Sequence, residues 1–239
     1  MNSFIIKIIA MITMLIDHSI KASESRSVLM YALGRIAFPL FAFQTTIGYE
    51  KTRSVKKYLI RLLVFAIISQ ISFSLYNIII IGSNGFELNV IFTMILGIIS
   101  MYIYDIKIEP KIRISQKVLT NIIKFILIAN ILMLAQLIKV DYKAYGVFLI
   151  LFIHIFYNHK NKIWFIIGYI LLVIAKFTIS YYGTVPVQYY IGLLIGGLLP
   201  LIIMLLYNGK KGKSLKYLFY VFYPVHLAII VLIKLLISI

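Results

Sequence analysis

Two ionisable side chains adjoin inside an apolar run, Asp17 and His18 in FIIKIIAMITMLIDHSIKA, residues 4–22. A charge at membrane depth is costly and turns toward a protein interior or a wet cavity. The chemistry open to such a pair is proton transfer. An imidazole, with an ordinary pKa of about 6.5, can take a proton from an amine or an alcohol near neutral pH. Neighbouring helical positions point about 100° apart, so the two side chains need not bond each other. A partner on another helix, such as Arg35 for Asp17, is the expected arrangement. Read without chemistry, the same residues form an interhelical salt bridge and an interfacial histidine.

Other polar groups interrupt apolar runs further along. Arg35 stands in GRIAFPLFAFQ with Pro39 four residues later. That proline frees the carbonyl of Arg35 and predicts a kink there, with Arg35 pairing a carboxylate or binding an anionic group. His226, in YPVH, sits midway in the last apolar run and must find a partner or a cavity. Asp141 in DYKAYG and Asn89 in NVIFT fit functional roles, yet cap and turn chemistry accounts for both. His154 and His159 flank one end of a span, where head groups can solvate them, and Lys124 and Lys176 can snorkel.

The elements that must hold these residues follow from composition. Of 239 residues, 62% are hydrophobic and 13% charged, with a mean hydropathy of +1.02. This predicts an all-α, polytopic membrane helical bundle, a single domain over 1–239, since the loops are too short for a second one. The net charge of +17 does not imply nucleic acid, because no basic helix, zinc spacing or long polar arm accompanies it; anionic membrane lipids are the expected partner. The absence of Cys excludes disulfides and thiolate metal sites, and no metal is expected. GKKGK at 209–213 lacks the strand and the Ser or Thr of a phosphate-binding loop and reads as a turn. Flat apolar faces suit lipid or a second copy, as in a homodimer, equally well.

Punctuation by charge, Gly and Pro gives about nine spans: 4–22, 28–48, 59–81, 88–105, 118–138, 144–158, 163–179, 187–207 and 217–237, the sixth and seventh being short. The first reads as a retained span rather than a signal peptide, because no positive charge precedes Phe4 apart from the terminus and Asp17–His18 breaks the apolar centre. Alternate loops carry 15 and four Lys or Arg, the four being Lys21, Arg26, Lys139 and Lys143. This places the N-terminus and the basic loops in the cytoplasm. Asp17, His18, Arg35, Asp141 and His226 then gather in the outer half of the bundle, as a polar cavity of either an enzyme or a transporter.

At these residues the chain resembles the TraX family, whose plasmid-borne members acetylate the N-terminus of conjugative pilin. The matching stretches are KIIAMITMLIDHS at 7–19, GRIAFPLFAF at 34–43, TRSVKKYLIRLLVFAIISQISF at 52–73, NVIFTMILG at 89–97, DYKAYGVFLILF at 141–152 and FYPVH at 222–226. Gln70 departs from the acidic residue of many relatives, and the loop at Asn84–Gly85 is short. TraX proteins are similar to a broader superfamily of transmembrane acyltransferases. The resemblance implies a multi-pass protein of a bacterial inner or plasma membrane that transfers acetyl from acetyl-CoA, as acyl donor, to an amine or hydroxyl. The acceptor would be a peptide such as a pilin N-terminus, a glycan or a small molecule.

Carried over, the family's polar pair falls on Asp17 and His18, its arginine on Arg35, its fourth-span pair on Asn89 and Thr93, its acidic turn on Asp141, Tyr145 and Gly146, and its terminal motif on Tyr223 and His226. On this reading His18 is the general base, oriented by Asp17 or Asp141, and His226 assists the leaving thiolate or the acceptor. Lys57, Arg61 or Lys213 would hold donor phosphates on the basic side, with Arg35, Asn89, Tyr145 and Tyr223 lining the donor's path. The rival class, a transporter or flippase, predicts substrate movement without consumption of acetyl-CoA.

Overall fold

The computed structural model describes all residues except 24–26, 84, 108–113, 159–161, 214–215 and 238–239. Arg26, Asn84, Lys111, Arg113, His159 and Lys160, used in the sequence reading, therefore lie outside the described residues. The chain runs as α1 (Ser3–Ser23), α2 (Val28–Gly34), α3 (Ala37–Lys51), α4 (Val55–Tyr76), α5 (Val90–Asp105), α6 (Ile114–Leu137), α7 (Lys143–Tyr157), α8 (Lys162–Tyr181), α9 (Val187–Leu205) and α10 (Lys216–Ile237). A π-helical turn, Asn77–Ile81, extends α4.

Among the described residues seven segments are long and apolar enough to cross a membrane, with α2 and α3 together forming one, Val28–Lys51; α5 and α7 are shorter apolar helices. The protein is thus a multi-pass helical bundle, and its seven such segments and two shorter helices among the described residues fall where the sequence placed about nine spans. The short members differ in one respect. α8 has a full 20 residues, whereas α5 has 16 and α7 has 15. Both short helices are framed by one polar junction. Leu88 bridges Val140, the Asp141 amide donates to the Leu88 carbonyl (2.7 Å), and the Thr93 hydroxyl donates to the Asp141 carbonyl.

Side-chain oxygens end several helices cleanly. The Ser54 hydroxyl accepts from the Lys57 amide (3.3 Å) at the start of α4, and Asn89 Oδ1 accepts from the Ile91 amide (3.0 Å) at the start of α5. The kink expected from Pro39 is a break at Arg35–Ile36, between α2 and α3. Beyond it, α3 is buried on nearly every side from Ala37 to Ile47, which explains why it is apolar all round. Helices α1, α5, α7 and α9 pack about it, while α6 turns Phe125, Met133 and Leu137 outward, as a lipid-facing helix does.

Small residues permit the closest approaches. A Cβ on Gly196 of α9 would lie 2.0 Å from the Ala32 carbonyl oxygen of α2, so the backbones touch there. The loops of the basic face also interlock. The N-terminal ammonium donates to the Leu206 carbonyl (2.5 Å), the Ser3 amide to Lys210 O (2.9 Å) and Lys51 Nζ to Gly209 O (2.7 Å). Asp105 joins His154 (2.9 Å), and Asn158 donates to Glu50 (2.7 Å). These contacts bring together the loops that alternation assigned to one side.

Candidate functional site

Two histidines meet across 208 residues of sequence, Nδ1 of His18 on α1 lying 3.0 Å from Nε2 of His226 on α10. The other ring nitrogen of His226, Nδ1, lies 2.8 Å from the Phe222 carbonyl. A carbonyl only accepts, so His226 Nδ1 carries the hydrogen and, in the neutral ring, Nε2 accepts. His18 Nδ1 then donates, which leaves His18 Nε2 as the basic nitrogen of the pair. Phe222 stacks on His226 at 4.8 Å, Tyr76 meets the His18 ring edge-on at 5.1 Å, and the Tyr76 hydroxyl donates to the His18 carbonyl (2.8 Å). His226 is buried, whereas His18 reaches a cavity.

That cavity, of about 280 Å³, lies on the face away from the basic loops. Asp17, Lys21, Arg35, Asp141, Lys143 and Lys176 supply its charged lining, and Phe38, Tyr142, Tyr145 and Tyr181 much of its aromatic lining. Asp17 is occupied by Arg35 and by Lys21 (2.7 Å), so the expected Asp17–Arg35 pair is present. Gly34 makes room for it, since a Cβ there would lie 2.4 Å from Asp17 Oδ1. Asp141 sits in the turn between α6 and α7, outside the spanning helices, and burial pushes its carboxyl up to about 6. The same turn holds Tyr142 and Lys143 at φ of 63° and 50°, a conformation that costs non-glycine residues energy. Tyr142 is fixed there by stacking on Phe38 at 3.7 Å.

A second cavity, of about 450 Å³, lies on the basic face. Lys7, Lys51, Arg53, Arg61, Lys211 and Lys213 line it with no carboxylate among them. Three buried polar atoms without a hydrogen-bond acceptor belong to residues of its wall: Gln44 Nε2, Arg61 Nε and the Tyr223 hydroxyl. Buried donors are almost always satisfied, so three among the residues of one wall are unusual. The two cavities share Met14, Phe41, Val90 and Tyr223 as walls. Met14 lies one helical turn before His18, and Tyr223 three residues before His226, so α1 and α10 each put a shared wall residue and a histidine on one face.

Several sequence expectations change. His18 is oriented by His226 and not by a carboxylate, because Asp17 is held by Arg35 and Lys21 and no bond joins Asp141 to the ring. Arg35 stands in the histidine cavity as the partner of Asp17, away from the basic loops, so it does not line an entry path there. Asn89 lines neither cavity. It is fully buried, and besides capping α5 it donates from Nδ2 to Ala66 O (2.8 Å) and Gln70 Oε1 (2.9 Å). Gln70 in turn donates to Glu87 O (2.7 Å), which pins the loop before α5. Lys57 is exposed outside both cavities, while Arg61 and Lys213 line the basic one. Tyr145 belongs to the histidine cavity and Tyr223 to both.

Lys124 closes the end of α5 by donating to Tyr104 O (3.0 Å) and Ile106 O, and His154 contacts Asp105 and, at 3.6 Å, Glu50. Lys176 differs from its expected snorkelling role. It lines the histidine cavity, donates to the Ser180 hydroxyl (3.1 Å) and lies over the Tyr145 ring. The sequence reading missed Lys7, Lys51, Gln44 and Lys176 as wall residues: Lys51 counted only as a loop charge and Lys176 only as able to snorkel, while Lys7 and Gln44 lie singly within apolar runs. Among the described residues no cluster could hold a metal ion. Neither a curated protein nor a solved structure matches the chain. The family model described as TraX protein matches residues 3–234, and the chain belongs to that family.

Proposed function

We propose that the protein is a membrane-embedded acyltransferase that takes an acetyl group from acetyl-CoA on the basic face and gives it to an amine or hydroxyl acceptor in the histidine cavity. The observation that carries this reading is the pair of cavities meeting at Met14, Phe41, Val90 and Tyr223. TraX membership and the resemblance to transmembrane acyltransferases support it. By the positive-inside rule the basic cavity faces the cytoplasm, where acyl-CoA is found, and the TraX resemblance points to a bacterial cell membrane.

The phosphates of the donor suit Arg61, Lys211 and Lys213, and its pantetheine arm runs along the cavity toward Tyr223. His18 Nε2 takes the proton of the acceptor as its oxygen or nitrogen attacks the thioester carbonyl carbon. The Tyr223 hydroxyl, with its own hydrogen unengaged, donates to the carbonyl oxygen as negative charge gathers there. The C–S bond then breaks, coenzyme A leaves as thiolate, and the proton held by His18 goes to that sulfur. His226 keeps His18 in the required tautomer and shares the positive charge of its protonated ring through the 3.0 Å contact.

Free thiol release from acetyl-CoA by the purified, detergent-solubilised protein tests the reading. The wild type should release thiol, slowly with water as acceptor, and H18A should lose on the order of 10²–10⁴-fold of that rate. Coenzyme A should bind both forms equally. Absence of both binding and release would replace this reading with transport, the alternative that the polar cavity also allows.

A further inference from the structure

The histidine cavity carries more positive charge than its own carboxylates balance. Lys21, Arg35, Lys143 and Lys176 face Asp17 and Asp141, four cations against two anions. Lys21 and Arg35 both engage Asp17. Among the described residues, no carboxylate forms an ion pair with Lys143 or Lys176. Lys176 is half-buried on α8 and is held by Ser180 and the Tyr145 face, so its charge is fixed at the wall. Lys143 also lines the cavity, exposed, in its strained left-handed conformation. With Lys176 held in the wall and Lys143 beside it, this small, aromatic cavity has an excess of positive charge for an anion to balance.

From this charge and this lining we infer that the acceptor is an acidic sugar unit, one with a carboxylate or phosphate beside the hydroxyl to be acylated. The anion pairs with Lys143 and Lys176, the ring lies against Tyr142 and Tyr145, and the hydroxyl turns toward His18. The volume, just under the usual range of roughly 300–1,000 Å³ for ligand sites, suits one such unit at the end or edge of a polymer. A peptide N-terminus fits worse. With an α-amino pKa of about 8 it arrives mostly as a cation, and here it would meet an excess of the same charge. The inference takes its chemistry from the acyl-transfer reading and its ligand from the cavity alone.

Calorimetry on the full chain in detergent, without acetyl-CoA, tests the ligand by itself. The probes are a galacturonic acid trimer, a sugar phosphate, a neutral galactose trimer and a short peptide with a free N-terminus. The expected result is binding of one or both acidic sugars at least about tenfold tighter than the neutral trimer or the peptide, weakening with added salt. The double variant K143Q/K176Q should lose that preference and keep its affinity for coenzyme A, which shows that it has folded. Equal binding of acidic and neutral trimers, preference for the peptide, or a preference that survives in the double variant would overturn the inference. Sugar preference without thiol release from acetyl-CoA in the presence of the acidic sugar would leave the receptor standing and remove only the acyl-transfer reading.

Discussion

Tyr223 is one of the four residues that the two cavities share, and its hydroxyl is buried without an acceptor for its hydrogen. A donor kept dry and unpaired costs stability unless something uses it. If that something is the thioester oxygen, Tyr223→Phe removes one hydrogen bond that strengthens as charge develops. Turnover should fall about 10²–10³-fold, the usual loss for one oxyanion donor, with affinity for coenzyme A little changed. Unchanged turnover would return Tyr223 to a packing role. His18 and Asp17 stood out from sequence because ionisable groups interrupt an apolar run. The His18–His226 contact did not, since no periodicity links residues so far apart. The pairing of Asp17 with Arg35 was expected from the sequence, whereas its second partner, Lys21, was not.

Helix packing decides whether those residues meet. α9 holds α2 through Gly196, and α2 leads into the break that presents Arg35 to Asp17. Gly196→Ala should force the two backbones apart and cost roughly 1–3 kcal/mol by overpacking, read as a lower unfolding temperature in detergent. A variant as stable as the wild type would mean that α2 can shift without loss. The turn between α6 and α7 makes a different prediction, in pH. Burial raises Asp141 to about 6, so between its ordinary value of about 4 and pH 6 the folded chain holds a proton that the unfolded chain has released. Stability therefore falls as pH rises through that window and levels off above it. Asp141→Asn should abolish that part of the fall, matching the wild type near pH 4 and exceeding it above pH 6 in thermal scans. Parallel curves would show that Asp141 is not destabilised by its charge. Spans, caps and the Pro39 break were legible because lipid demands long apolar helices and proline removes a donor. The inward turn of Lys176 was not, because a lysine stem serves equally well to snorkel or to line a cavity.

Across the whole molecule, the two cavities differ in what lines them. Six cations, with buried donors of Gln44 and Arg61 that have no acceptor, belong to one end, two histidines and a mixed charge set occupy the other, and four shared wall residues lie between them. The alternation of Lys and Arg in the sequence announced which loops share a face, and the hydrogen bonds joining Met1, Lys51, Asp105, His154 and the 206–211 loop agree with it. Alternation could not announce the cavities, which depend on how α1, α3, α5 and α10 meet. Such an arrangement needs no rocking of one half against the other, the movement an alternating-access transporter requires. It needs a donor that enters only from the basic end. The direct test is thiol release from acetyl-CoA added outside sealed membrane vesicles that carry the protein, prepared inside-out and right-side-out, for wild type and H18A. The account predicts release by inside-out wild-type vesicles, little by H18A, and none by right-side-out vesicles until they are permeabilised. Equal release in both orientations, or release indifferent to His18, would contradict it.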